Sequence, residues 1–113
     1  MNHDINRLEH MLDACEKLIK FTNVDYSDYQ NSDEKQAAVA RYFEILGEAS
    51  GKISSELKSQ YPDIPWQITI SLRNILIHDY VKVDYDELWK TAKEDIPILQ
   101  AQIRNILQNM PSA

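Results

Sequence analysis

The chain has 113 residues, with 12 Lys and Arg against 18 Asp and Glu, a formal charge of −6. At 43% hydrophobic and 27% charged, with only 2 Gly and 4 Pro, it is neither a disordered tail nor a collagen-like or low-complexity segment. A chain of this length buries about two-thirds of its unfolded surface. Residues 1–113 are therefore read as a single domain that needs no metal or disulfide to fold. The acidic balance excludes a protein that coats nucleic acid non-specifically, a mode that depends on neutralising many phosphates with Lys and Arg, though a local basic site stays open. The single cysteine, Cys15, sits among helix-spaced apolar residues and is expected to behave as a small hydrophobe in a reducing compartment. The charged start MNHDINRLEH and the lack of any apolar run near the length of about 20 residues that spans a bilayer point to a cytoplasmic protein.

The first element in chain order is a helix. Ile5, Leu8, Leu12, Cys15 and Ile19 recur at steps of three and four, an amphipathic stripe that predicts a helix over Asp4–Phe21. The stretch TNVDYSDYQNS that follows is dense in Asn, Asp and Ser, whose side chains bond their own backbone, and is read as a loop. Asp33 with Gln36 three residues on resembles a capping box opening a second helix, carrying Ala37, Ala40, Phe43 or Ile45, Leu46 and Ala49 towards Gly51. Gly47 inside it weakens the helix by about 1 kcal/mol relative to Ala and points to close packing of another helix. Ile53 to Tyr61 reads as a short helix, ended by the two prolines of YPDIPW. Pro65 suits a first turn, so WQITISLRNILIHDY is assigned helix rather than strand, because a lone strand has no partner to satisfy its backbone. Asp84 with Glu87 is a second capping-box signal. It opens a last helix through Leu88, Trp89, Ile96, Leu99, Ile103, Ile106 and Leu107 to Gln108, kinked at Pro97. The sum is an all-α bundle of four or five helices in up-down order.

The segment RNILIHDY, residues 73–80, gathers Arg73, Asn74, His78 and Tyr80 at the end of an apolar run. On a helix Asn74 and His78 share a face, whereas Arg73 and His78 lie about 140° apart at about 100° per residue. Either a helix ends just before His78, or two copies of the segment build one cleft across a symmetric dimer. On composition alone His78 could equally be a hydrogen-bonded packing histidine and Arg73 a salt-bridge residue.

The pattern of Arg73-Asn74, three residues, His78, one residue and Tyr80 resembles the motif of the HEPN superfamily, in particular the HepT-like toxins of toxin–antitoxin pairs. RYFEILGEAS (residues 41–50), YPDIPWQIT (61–69), RNILIHDY and VDYDELW (83–89) follow in the same order, so the resemblance covers almost the whole chain. It implies an HEPN-like helical bundle that dimerises and a metal-independent endoribonuclease without cofactor, cutting RNA, with tRNA the substrate the family suggests. In that chemistry the RNA's own 2′-OH attacks the adjacent phosphorus. His78, with an ordinary pKa near 6.5, would move the proton. Arg73 would bind phosphate oxygens as charge builds in the transition state, and Asn74 would position His78 or a phosphate oxygen. Tyr80 stands where such toxins receive AMP from a nucleotidyltransferase antitoxin, a modification whose charge and bulk would oppose RNA binding.

Competing candidates carry less. His3 and His10 are seven residues apart with no third ligand at metal spacing, and are read as surface residues. Glu44 and Glu48 could do acid–base work as a carboxylate pair, but salt bridges to Arg41 or Lys52 are the simpler reading. Trp66 and Trp89 could stack bases, yet each opens a helix beside apolar neighbours, where packing is commoner. Two rival readings stand beside the enzyme: a helical module that presents substrate to a partner nucleotidyltransferase without cleaving, and a motif that serves only as a dimer-interface network.

Overall fold

The computed structural model describes residues 2–67, 70, 72 and 83–110, and its architecture is all-α. Six helices run in order: α1 (Asn2–Phe21), α2 (Tyr26–Gln30), α3 (Asp33–Gly51), α4 (Ser55–Gln60), α5 (Tyr85–Glu94) and α6 (Ile96–Asn109). Trp66, Gln67, Ile70 and Leu72 are helical as well, in line with the choice of helix over strand for that segment. Among the described residues there is no strand, and no helix is long and apolar enough to cross a membrane.

The core is built where α1 packs on α3 and α6, with α5 closing against α3 and α6. Leu8, Met11, Cys15 and Leu18 of α1 and Ile103 and Ile106 of α6 are fully buried, and Phe43 and Leu46 of α3 are all but fully so. Each such side chain contributes about 1.5–3 kcal/mol by leaving water. The buried face of α1 is rotated from the expected stripe: Met11, Ala14 and Leu18 are inside, whereas Ile5, Leu12 and Ile19 are only partly buried. Among the described helices α3, α5 and α6 pack on α1, so its apolar arc is wider than a single line of residues and centres on 8, 11, 15 and 18.

The expected loop at residues 22–32 contains a helix, α2. Its first turn forms because the backbone N–H groups of Asp28 and Tyr29 bond the Asp25 carbonyl, and Tyr29, fully buried, fastens it to the core. The cap of α3 is Ser32 and not Asp33: Ser32 Oγ accepts from the Lys35 N–H at 3.1 Å, and the Gln36 amide donates to the Gln30 carbonyl instead of closing a capping box. Gly47 is buried in α3, and a Cβ on Gly51 would meet Ile70 at 3.8 Å, an ordinary contact distance. Ser54 caps α4 through the Leu57 N–H at 3.2 Å, and is itself held by Asp4, whose two carboxylate oxygens accept from Ser54 N–H (2.9 Å) and Ser54 Oγ (2.6 Å).

Asp84 caps α5 as expected, accepting from the Glu87 N–H at 3.1 Å. The single kinked helix expected after it is two helices, α5 and α6, separated at Asp95. Pro97 stands in the first turn of α6, where its missing N–H costs nothing, whereas within one continuous helix it would leave a carbonyl unbonded and clash with the preceding turn. Among the described residues, that break and α2 are the two places where a helix stands beyond those expected.

Candidate active site

Arg73, Asn74, His78 and Tyr80 lie outside the described residues. What the structure describes is how the chain is held before and after them. On the entry side, the last turn of α3 carries Ser50, fully buried, whose Oγ donates to the Trp66 carbonyl at 3.2 Å. Trp66 is 6% exposed and its indole N–H donates to the Tyr61 carbonyl at 3.0 Å, so it is a packing residue, as read from its apolar neighbours. Gly51 of the same turn faces Ile70, three residues ahead of Arg73.

On the exit side, Val83 leads into the Asp84 cap, and two tyrosines of α2 fasten the start of α5. Tyr29 Oη donates to the Tyr85 carbonyl at 2.7 Å, and Tyr26 Oη donates to the Asp86 carboxylate. Both phenols are held above their ordinary pKa of 10.0: Tyr29 first by burial and then by the nearby Asp86 charge, Tyr26 first by the hydrogen bond to Asp86. Trp89 packs its ring against both, with centroids 4.8 Å from Tyr29 and 5.5 Å from Tyr26, and Lys93 Nζ lies 5.3 Å from the Trp89 centroid while donating to the Thr22 carbonyl. Trp89 is therefore occupied by protein contacts.

Next to Leu72 a cavity of about 280 Å³ opens between α3, α6 and the turn before Trp66, walled by Phe43, Leu46, Pro65, Leu72 and Leu99. Asp63 and Asp95 are the charged groups on its described wall, so among the described residues that wall offers carboxylates and no cation to a phosphate.

The remaining candidates fall as the simpler readings had them. Glu44 pairs with Arg41 at 3.2 Å and Glu48 with Lys52 at 3.3 Å, both on exposed helix faces. His3 and His10 are exposed, and among the described residues no group of three or more His, Cys, Asp or Glu could hold a metal ion. Cys15 is buried in the core, and burial first, then Glu16, pushes its thiol up to about 12, leaving it uncharged and unreactive. One juxtaposition was not legible beforehand: Arg7 and His10 of α1 face Glu48 of α3 and Lys52 at its C-cap across a shared groove. Helical spacing could have paired Arg7 with His10 and Glu48 with Lys52, but not one pair with the other.

Comparison with known proteins matches residues 11–106, which include Arg73, Asn74, His78 and Tyr80, to the family model described as Ribonuclease HepT-like. The "Probable ribonuclease HepT" of Thermococcus cleftensis is 40% identical over 100 residues, covering 88% of this chain and 91% of its own. The "Putative RNase MJ1380" of Methanocaldococcus jannaschii is 39% identical over 97 residues, covering 85% and 89%. The "Putative RNase TTE0752" of Caldanaerobacter subterraneus subsp. tengcongensis is 34% identical over 102 residues, covering 89% and 91%. No solved structure matches the chain with significance. With nearly its whole length matched in this way and an all-helical architecture, the chain belongs to the HepT-like ribonuclease family, and ribonuclease is its enzyme class.

Proposed function

We propose that the protein is a metal-independent endoribonuclease toxin in which Arg73 and His78 carry the reaction. The observation behind this reading is the sequence Arg73-Asn74…His78…Tyr80 within the 96 residues, 11–106, that match a ribonuclease family. His78 takes the proton from the RNA 2′-OH as that oxygen attacks the adjacent phosphorus; the bond to the 5′ oxygen breaks, and that oxygen takes a proton from the imidazolium as it leaves. The products are a 2′,3′-cyclic phosphate and a 5′-OH end. Efficient transfer at neutral pH wants a group titrating near pH 7, which an imidazole supplies. Arg73 stabilises the charge on the non-bridging oxygens with its planar fork of donors. Asn74, on the His78 face of a helix, orients the imidazole or a phosphate oxygen. Because Arg73 and His78 do not share a face of one straight helix, a homodimer that pairs two copies of the segment assembles each cleft.

In this reading tRNA is the substrate and a nucleotidyltransferase antitoxin is the partner. Transfer of AMP to Tyr80 Oη places a phosphodiester and a nucleoside two residues from His78, where it repels and obstructs the RNA backbone.

The test is cleavage of total cellular RNA by the purified chain in EDTA, beside Arg73→Ala and His78→Ala. The parent cuts and both variants are silent, with melting temperatures close to the parent's. Activity in either variant, or loss of cleavage in EDTA that added metal restores, refutes the mechanism. If the parent is silent while intact mass shows Tyr80 unmodified, the enzyme reading gives way to the non-catalytic module. Co-expression with an adjacent nucleotidyltransferase adds the mass of AMP to the parent and not to Tyr80→Phe.

A further inference from the structure

We propose that the groove between α1 and the last turn of α3, lined by Arg7, His10, Glu48 and Lys52, binds a backbone phosphate of RNA outside the Arg73–His78 motif. The site deepens the ribonuclease reading and rests on it. Arg7 and His10 lie three apart on α1, and Glu48 of α3 and Lys52 at its C-cap lie four apart, so each pair projects from one side into the same space. Ile45 and the small Ala49 complete the groove, leaving a concavity of about 170 Å³ between the two helices.

Arg7 is the informative member. Of the arginines among the described residues, Arg41 pairs with Glu44 and Arg104 with Glu16, while half-buried Arg7 has no ion pair or hydrogen bond among them. A guanidinium presents five donors in a fixed fork that fits a phosphate. Lys52 is held by Glu48 at 3.3 Å in an exposed pair, with side chains 51% and 52% exposed, and such pairs are weak enough to exchange for a phosphate. With His10 counted neutral, Arg7 and Lys52 against Glu48 give 2 − 1 = +1 on a chain whose total is −6. A locally positive groove on an acidic protein attracts a polyanion to that place and not to the rest of the surface. The same turn of α3 touches the chain entering the motif: Ser50 bonds the Trp66 carbonyl, and Gly51 faces Ile70.

The experiment measures binding of a single-stranded 2′-O-methyl RNA oligonucleotide, which lacks the attacking hydroxyl, by fluorescence anisotropy across a salt series. Arg7→Ala and Lys52→Ala each weaken binding about threefold to tenfold and lower the slope of log affinity against log salt by about 0.7, and the double variant by about 1.4. Arg7→Lys keeps the slope while losing part of the affinity, because the charge stays and the fork goes. Lys58→Ala on α4, outside the groove, leaves both readouts at the parent's value. If the parent, shown by intact mass to be unmodified at Tyr80, neither binds the probe nor cleaves RNA, the ribonuclease reading fails and this site with it. If the parent binds and cleaves while Arg7→Ala and Lys52→Ala match it in affinity and slope, the groove alone is overturned.

Discussion

Removing the Asp4 carboxylate tests how the first helix is joined to the middle of the chain. Asp4 is 8% exposed and accepts two hydrogen bonds from Ser54, fifty residues away, while Ser54 Oγ also caps α4. Hydrogen bonds to a charged group contribute about 1.5–3 kcal/mol each, and relief of the carboxylate's desolvation offsets part of that sum. An acidic side chain in the first turn of a helix adds about 0.3–1 kcal/mol through the macrodipole. Asp4→Ala should therefore cost about 3 kcal/mol, a fall in melting temperature of about 12 °C at about 4 °C per kcal/mol for a domain of this size. Ser54→Ala loses the bond at 2.6 Å and the cap, about 2 kcal/mol together. The assay is urea denaturation of parent, both single variants and the double variant. The tether predicts that the double variant is more stable than the sum of the singles implies, with a coupling of at least about 1 kcal/mol. Strict additivity, or an Asp4→Ala cost under about 1 kcal/mol, would refute the tether.

Three further outcomes are expected. Tyr29→Phe removes the hydrogen bond to the Tyr85 carbonyl but keeps the ring; that carbonyl sits in the first turn of α5 and keeps its intrahelical acceptor role, so denaturation should show a loss of only about 1 kcal/mol. Cys15, raised from 9.0 to about 12, favours the folded state fully below pH 9.0, and that contribution drains away as pH rises from 9.0 towards 12, by about 1.4 kcal/mol per unit. Denaturation curves above pH 9 should therefore fall more steeply for the parent than for Cys15→Ala, and a native thiol that reacts with a disulfide reagent as fast as the unfolded one would contradict its burial. Ile103→Ala, at a fully buried position on α6, should cost about 2–5 kcal/mol, and a loss under about 1 kcal/mol would show that α6 is not packed on α1 as described.

Periodicity and caps carried most of the helix assignments, because they depend on residues three or four apart. The long helices, the short helix after Ile53, the Asp84 cap and the burial of Cys15 and Trp66 all follow from local spacing. The failures were places where a distant contact decided. The polar stretch at 22–32 becomes helical around Tyr29, whose ring is buried against Trp89, sixty residues on. The face of α1 turns towards Met11 and Leu18 because α3, α5 and α6 all rest on it. Pro97 separates two helices instead of bending one, because it has no N–H to give to a carbonyl one turn back.

The sequence by itself determined the helical class, the family and the motif Arg73, Asn74, His78 and Tyr80, since each is a pattern of residue types at fixed spacing along the chain. Tertiary structure alone decided which elements meet: Asp4 with Ser54, Tyr29 with Tyr85, and Arg7 and His10 with Glu48 and Lys52. Such pairs are far apart in sequence, and their meeting is set by how whole apolar faces pack, a property that no local pattern of charges encodes.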